Sequence, residues 1–204
     1  MQALAIIPAY SHIDHRLMQA LLDSGIPHMP LYGSSDLPRA RSMLISLARS
    51  KAERLLFIDS DIVPSVGQIH ELATSNLVTP VQALTGLYPV RDIRATRRGG
   101  VGWAVDAYEP ELADKRDVFG ANWAGLGFAA IHSESLDRVA ATLPVIDGDE
   151  CLWHPFCVPM VRGNTYYPDD RVLWTRLAET GTMLVASSRL KVGHVASVVL
   201  TETM

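Results

Sequence analysis

A continuous apolar run that ends in two acids limits the possible folds of this chain most strongly. Residues 55–58 are Leu, Leu, Phe and Ile, a pattern typical of a central parallel strand that is buried on both faces. Asp59 and Asp61 follow, and side chains two positions apart in extended backbone point in the same direction. Two such carboxylates repel each other unless a cation lies between them. The pattern predicts either a Mg2+ or Mn2+ site at the carboxyl end of a strand, where α/β sheets bind ligands, or a solvated turn.

The composition predicts one domain with a sizeable core, since 48% of the 204 residues are hydrophobic. The net charge of -4 argues against a surface that coats polyanions, because non-specific nucleic-acid binding needs clustered Lys and Arg. No stretch approaches the roughly 20 apolar residues of a membrane helix, and the apolar run at residues 3–7 meets Pro8 too soon for a signal peptide. We therefore expect a cytoplasmic protein without a membrane span.

Strand and helix patterns alternate, and two βα units precede the acidic strand. Apolar runs predict strands at residues 3–7, 28–32, 77–84 and 183–186, a buried strand after Gly127, and a hairpin with short strands at 101–108 and 117–119. Helical spacing and capping residues predict five helices, at residues 15–24, 65–75 and 133–142 and beginning at residues 38 and 169. Ser65 and Ser133 are the expected caps of the helices at 65–75 and 133–142. Residues 144–168 have little periodicity, which predicts a long irregular segment that is functional or mobile.

The segment around the two acids resembles the Asp-x-Asp strand of GT-A-fold glycosyltransferases, in a family 2-like, compact bacterial or phage form. Four further segments fall in the order that this family uses: Pro38-Arg39-Ala40-Arg41-Ser42, Gly125-Leu126-Gly127-Phe128, Asp169-Asp170 and Gly193-His194. The resemblance implies a Rossmann-like α/β/α sandwich with a mostly parallel central sheet and a small antiparallel hairpin. It also implies one domain over residues 1–204, with a nucleotide-binding half at 1–85 and a half at 86–204 that supplies the acceptor site and completes the metal site.

On the donor side, the resemblance implies a nucleotide-diphosphate sugar, UDP- rather than GDP-, that is bound through Mn2+ or Mg2+. The implied metal ligands are Asp59, Asp61 and His194. Nucleotide contacts are expected from the loop after the first strand, from the acidic strand and from two further side chains, namely Pro8, Ala9, Tyr10, Asp59, Ser60, Asp36 and Arg41. From the residues alone, Tyr10 is either a ring that stacks on a base or part of an ordinary strand end. Arg41 is either an anion partner at a helix start or a surface arginine.

On the acceptor side, Asp169 and Asp170 match the family's catalytic acidic pair, and Asp170 matches its second acid. The resemblance implies that Asp170 takes the proton of the acceptor hydroxyl if the enzyme inverts configuration, and orients the sugar if it retains configuration. Stabilisation of a helix start explains both acids equally well. Substrate contacts are expected from Arg91, Trp123, Gly125 and Gly127, and the irregular segment is expected to lie on the acceptor side.

Two of these substrate contacts have alternatives. Arg91 begins a basic run with Arg94, Arg97 and Arg98, which faces either an anionic ligand or solvent. Trp123 is either a platform on which a sugar stacks or a core residue. The acceptor itself is open, and a glycan, a small molecule and a modified nucleic-acid base all fit the pattern.

Other classes of protein explain parts of the sequence. Haloacid-dehalogenase-type phosphatases also carry Asp-x-Asp after an apolar strand, but they expect Gly-Thr where this chain has Ile62-Val63. A nucleotidyltransferase is expected to have a glycine-rich basic loop after the first strand, and residues 8–12 do not have this composition. An inactive nucleotide-sugar binder predicts binding without turnover.

A Cys-x2-His-x2-Cys pattern is formed by Cys151, His154 and Cys157. It is either part of a zinc site completed by Asp149 or a loop with reduced thiols.

Overall fold

The computed structural model describes residues 2–90, 103–108, 116–148 and 151–195. The helices in these ranges are α1 (His15–Ser24), α2 (Leu37–Ala48), α3 (Val66–Thr74), α4 (Ser133–Ala140) and α5 (Asp169–Glu179). The strands are β1 (Ala3–Ala9), β2 (His28–Tyr32), β3 (Arg54–Ile58), β4 (Ile62–Val63), β5 (Gln82–Leu87), β6 (Val105–Ala107), β7 (Val118–Ala124), β8 (Phe128–His132), β9 (Ile146–Asp147), β10 (Leu152–Trp153), β11 (Met160–Arg162), β12 (Thr165–Tyr167), β13 (Met183–Lys191) and β14 (Gly193–His194). None of the described helices is long and apolar enough to cross a bilayer.

In the ranges described, eight strands form the central sheet, in the order β2-β1-β3-β8-β5-β13-β7-β6. The pairs β1/β2, β1/β3 and β5/β13 are parallel, whereas β8 runs antiparallel to both β3 and β5. Strand β7 is antiparallel to β13 and β6, which confirms an antiparallel hairpin at one end of the sheet. Six of these strands run in one direction, and β7 and β8 run in the other. The sheet is therefore mixed with most strands in one direction, and β8 inserts in reverse between β3 and β5.

Helices cover both faces of the sheet, so the chain has three layers. One core lies between the sheet and helices α2, α4 and α5, and a second lies between the sheet and helices α1 and α3. In β3, Leu55 and Phe57 belong to the first core, and Leu56 and Ile58 belong to the second. Because each face of this strand meets a different helix layer, no position of the apolar run can be polar. This burial on both faces agrees with the apolar pattern of residues 55–58.

Helices α1 and α3 occupy the predicted positions, and Ser65 caps α3 in a capping box with Gln68. The predicted strand at 77–84 is wrong at its start, since Thr79 and Gln82 close a turn from which β5 begins. The cap of α4 is His132 rather than Ser133, because the His132 ring nitrogen accepts the Glu134 amide hydrogen at 3.2 Å. The segment predicted to be irregular contains two short antiparallel pairs, β9/β10 and β11/β12. The start of the predicted strand at 101–108 lies outside the described residues.

Candidate active site

A cavity of about 680 Å3 opens at the edge of the sheet where β1, β3 and β5 end and β8 begins. The neighbouring strands thus bring together loops that are far apart in the sequence. Seven residues predicted to bind donor or metal line this cavity: Pro8, Ala9, Tyr10, Asp59, Ser60, Asp61 and His194. The acidic tip of β3 therefore lies in a concave site rather than in an ordinary solvated turn.

Strand β14 places His194 beside Asp61. Residues Gly193 and His194 pair with Val63 and Ile62 of β4, and the Val195 amide donates to the Asp61 carbonyl oxygen at 2.9 Å. His194 Nε2 lies 3.5 Å from Asp61 Oδ1. The two-residue pairing fixes the imidazole against the acidic loop.

The second ring nitrogen of His194 defines its tautomer. His194 Nδ1 lies 2.8 Å from the Pro89 carbonyl oxygen, which can only accept a hydrogen bond. Nδ1 must therefore carry the proton, and in the neutral ring Nε2 presents a lone pair towards the Asp61 carboxylate. A lone pair and a carboxylate oxygen this close can be shared by one metal ion.

These two side chains fit a divalent cation that has two protein ligands and completes its shell with water and phosphate oxygens. The ranges described contain no group of three or more His, Cys, Asp or Glu side chains arranged to hold a metal. The third predicted ligand, Asp59, lines the same cavity but its carboxylate is bound by Arg41. The structure thus brings Asp61 and His194 together and directs Asp59 to another partner.

Arg41 joins two acids that come from different parts of the chain. Its side chain leaves the second turn of α2 and is buried, with 5% of the residue exposed. One terminal nitrogen donates to both carboxylate oxygens of Asp59 at 2.7 Å, and the other donates to Asp169. Burial alone lowers the pKa of this guanidinium, but the charges of Asp59 and Asp169 outweigh it and the pKa rises. Arg41 is thus a permanent buried cation rather than a surface arginine.

Asp170 lies next to this ion pair at the start of α5. Burial and the neighbouring Asp169 charge raise the pKa of Asp170 above its usual value. Its Oδ1 accepts the Arg171 amide hydrogen at 2.7 Å, and Pro168, the N-cap of the helix, makes no side-chain hydrogen bond. A carboxylate with a raised pKa accepts a proton more readily than an ordinary surface acid.

Tyr88 fills the space beside the glycine turn that leads into β8. Its hydroxyl oxygen accepts the Gly127 amide hydrogen at 2.9 Å, and the Gly127 carbonyl accepts the Asp59 amide hydrogen at 3.0 Å. Its ring also packs edge-on against His194, with the ring centres 5.5 Å apart. Burial, with the nearby Asp59 charge, raises the pKa of the Tyr88 hydroxyl. Tyr88 thus connects the acidic strand, the glycine turn and the imidazole.

Replacing Gly125 by alanine is expected to destabilise the fold. A Cβ atom at this position would lie 1.9 Å from the Tyr88 hydroxyl oxygen, so the ring would have to move. Overpacking of this kind costs about 3 kcal/mol, which corresponds to a melting temperature roughly 6–12 °C lower. The measurement is thermal unfolding followed by circular dichroism.

The matched control for this substitution is Gly67→Ala in α3, where the nearest atom to a new Cβ is 3.9 Å away. Alanine favours a helix over glycine, so this variant should melt at or above the wild-type temperature. An unchanged melting temperature for Gly125→Ala would contradict the packing of Tyr88 against the glycine turn.

Several predicted site residues lie away from this cavity lining. Asp36 caps α2 by accepting the Arg39 amide hydrogen at 3.1 Å, and it lines a second cavity of about 500 Å3. Trp123 is half-buried on β7 and packs against the core under α2, α4 and α5. Gly127 touches the site through Tyr88 and Asp59. Arg91 and the basic run that follows it lie outside the described residues.

The cysteine pattern has no metal-site geometry in the described residues. Cys151 and Cys157 are free thiols, and burial raises the pKa of Cys157 to about 12. The Cys157 amide donates to the Ser42 hydroxyl at 2.9 Å, which holds the segment against α2. Asp149, the fourth ligand considered for zinc, lies outside the described residues.

Five further residues line the 680 Å3 cavity, hereafter the main cavity, and were not predicted from the sequence: Ser34, Ser35, Leu37, Tyr88 and Val90. The two serines follow Gly33 after β2, and their loop composition was a usable signal because it marks a chain segment at a strand end. Tyr88 carries no such signal. Its role depends on contacts with Gly127 and His194, which are distant in sequence.

No protein-family model matches the sequence, and a search of curated proteins gives no match. Solved structures do match. A197 from STIV is 18% identical with a TM-score of 0.64, over 97% of this chain and 87% of that chain. GalNAc-T7 with UDP, GalNAc and Mn2+ is 11% identical with a TM-score of 0.55, over 96% of this chain, which spans only 43% of that chain.

A third structure is the catalytic domain of Drosophila beta1,4galactosyltransferase 7 in complex with xylobiose. It is 11% identical with a TM-score of 0.50, over 97% of this chain and 72% of that chain. At these identities the likeness concerns the backbone arrangement alone. The chain therefore shares its fold with glycosyltransferases of GT-A type.

Proposed function

We propose that this protein is a metal-dependent glycosyltransferase that moves a sugar from a nucleotide-diphosphate sugar to an acceptor hydroxyl. The observation that carries the proposal is the pairing of Asp61 and His194 in the cavity at the strand ends of a GT-A-like fold. A phosphatase of the haloacid-dehalogenase type is disfavoured because its motif residues after the second acid are absent.

The donor would occupy the cavity between the β1 loop and the acidic tip. Tyr10 lines this cavity with 68% of its surface exposed, so its ring is accessible for stacking on a nucleobase. Ser34 and Ser35 line the same cavity, and a serine hydroxyl can hydrogen-bond a ribose or phosphate. A UDP-sugar is the expected donor.

Asp61 and His194 would hold Mn2+ or Mg2+ at the diphosphate end of the donor. When bound, this ion supplies positive charge that stabilises the leaving diphosphate. Asp61 contributes a carboxylate oxygen and His194 contributes Nε2, whose lone pair is set by the Nδ1 contact with Pro89. The other residues of the site would orient the donor and the acceptor.

On the acceptor side, Asp170 would accept the proton of the attacking hydroxyl if the reaction inverts configuration. Its raised pKa suits a base that must take up a proton. Asp169 is held by Arg41, so its charge is already paired. If configuration is retained, Asp170 orients the sugar instead. The acceptor class, whether glycan, small molecule or modified nucleic-acid base, is left open by this proposal.

A donor panel tests the proposed function directly. We expect the protein to release nucleoside diphosphate from at least one UDP-, GDP- or dTDP-sugar when Mn2+ is present, and EDTA should abolish the release. Absence of release from every donor, with a folded protein and Mn2+ in excess, would contradict transferase activity.

Thermal unfolding with UDP and Mn2+ separates an enzyme from an inactive binder. A ligand at about 100 times its dissociation constant stabilises a protein by about 2.7 kcal/mol, which raises the melting temperature by roughly 5–10 °C. A shift without nucleotide release would identify a nucleotide-sugar binder. The absence of both would argue against any nucleotide-sugar site.

A further inference from the structure

The Arg41 guanidinium is enclosed by acids from two sides of the site. Asp59 follows β3 and lines the main cavity, and Asp169 begins the helix that carries Asp170. The Arg41 side chain is 6% exposed, and the side chains of Asp59 and Asp169 are 24% and 19% exposed. A guanidinium is planar and offers its N–H groups in a rigid fork, so one residue can hold both carboxylates in a defined geometry.

This geometry argues against Arg41 as a direct phosphate contact. Both terminal nitrogens already donate to carboxylates, and Arg41 is not among the residues that line the main cavity. A diphosphate could reach the guanidinium only by displacing Asp59 or Asp169. Such an exchange would leave a partly buried carboxylate without its charge partner, which is unfavourable.

The first turn of α5 has no side-chain cap, although the residues that follow pack into the core. Its N-cap, Pro168, offers no side-chain hydrogen bond, and Asp169 is the first residue of the helix. The ion pair with Arg41 therefore ties the first turn of α5 to α2 and, through Asp59, to the tip of β3. Asp170 is the next residue in the same turn, so a shift of this anchor would act on Asp170 as well.

We infer that Arg41 is a positioning residue that couples the donor and acceptor sides of the site, an inference that rests on the proposed glycosyltransferase function. It holds Asp59 at the donor cavity and Asp169 at the start of α5, and thereby sets where Asp170 stands relative to the sugar. Arg41 touches neither substrate. It acts through the two carboxylates that it joins.

The test is the Arg41→Lys variant, which keeps the charge but loses the fork. One ammonium cannot reproduce the bonds to both acids in the same plane. We expect the kcat of donor turnover to fall about tenfold to a hundredfold, as a misplaced catalytic group predicts. The KM for the donor and the UDP affinity measured by calorimetry should change by less than about threefold. A tenfold rise in donor KM with unchanged kcat would show a phosphate contact and overturn the inference.

The matched control is Arg49→Lys, at the C-terminal end of the same helix. Arg49 pairs with the half-exposed Asp137 of α4, away from the main cavity. This variant should keep kcat and KM within about twofold of the wild type. If Arg41→Lys behaves like Arg49→Lys in an active enzyme, the inference is wrong while the proposed function stands.

A double-variant cycle with Asp169→Asn tests the route of the effect. If Arg41 acts through Asp169, Arg41→Lys should cost much less in the Asp169→Asn background than in the wild type. Independent, multiplying losses of kcat would overturn the inference. If Arg41→Lys does not fold, the Asp169→Asn variant is tested alone. A kcat about tenfold lower with an unchanged donor KM would support the inference. An unchanged kcat would contradict it.

The proposed function can fail separately. If the wild type turns over no donor, the melting temperature replaces kcat as the measured quantity. It is then measured for the wild type, Arg41→Lys, Asp169→Asn and the double variant. A joint anchor predicts that the double variant loses no more melting temperature than the more affected single variant. Additive losses would show that Arg41 and Asp169 do not act as one unit.

Discussion

Asp170→Asn is expected to lower the kcat of sugar transfer by about a hundredfold to ten thousandfold. An amide cannot accept the acceptor proton, and a positioned general base contributes a factor of this size. Substrate binding should persist, so the donor KM and UDP affinity should stay near wild-type values. The measurement is steady-state kinetics with the donor that the panel identifies, and calorimetry with UDP.

The pH dependence of the wild type gives an independent reading of Asp170. The base works only when it is ionised, and its pKa is raised above the usual 3.8 by burial and the charge of Asp169. Activity should therefore rise with pH through a limb that lies above the ordinary carboxylate range, and this limb should disappear in the residual activity of Asp170→Asn.

The control for this variant is Asp117→Asn. Asp117 forms an exposed ion pair with Arg189 at 3.3 Å, and its loss should leave kcat within about twofold of the wild type. A kcat for Asp170→Asn within threefold of the wild type would remove Asp170 from the role of base. A still larger loss in Asp169→Asn would transfer that role to Asp169.

Asp61→Asn is expected to lower donor turnover by about a thousandfold and to abolish tight Mn2+ binding. Metal stabilisation of a leaving group is worth several kcal/mol, and each 1.36 kcal/mol corresponds to about tenfold in rate. The neutral amide also removes the charge that faces His194 Nε2 at 3.5 Å. Electron paramagnetic resonance of Mn2+ in the presence of UDP measures the binding without relying on activity.

His194→Asn should show the same loss in weaker form, since Asp61 would remain as a charged ligand. The matched control is Asp23→Asn on α1, where the carboxylate accepts a hydrogen bond from Gln19 on the exposed surface. Unchanged Mn2+ binding in both Asp61→Asn and His194→Asn would place the metal elsewhere.

Much of the fold follows from local pattern. The run at residues 55–58 predicts a strand buried on both faces, and it has this environment because each face meets a different helix layer. The capping box at Ser65 marks the start of α3 in the same way. The reversed direction of β8 could not be predicted, because its residues pair with β3 and β5 through contacts that leave no local trace. The start of β5 was misplaced because the turn at residues 79–82 interrupts an apolar run.

The candidate site was predictable where its residues lie at strand ends. The tip of β3, the β1 loop and His194 were expected to meet, and they line one cavity. The resemblance provided the distant member of this set, since no spacing rule links residue 194 to residue 61. The ion pairs of Arg41 could not be predicted from the sequence, because they depend on side-chain contacts between three elements. A helix-start arginine looks the same in sequence whether it meets a phosphate or two acids.

The place of β8 in the sheet has a consequence for how the protein is made. During synthesis, β3 and β5 leave the ribosome well before β8. In the finished sheet β8 lies between these two strands and pairs with each of them. Until residues 128–132 arrive, these two strands keep unsatisfied backbone groups in what becomes the middle of the sheet. Fragments divided after β5 should therefore aggregate when expressed singly, and should recover a native-like fold only when they are produced together.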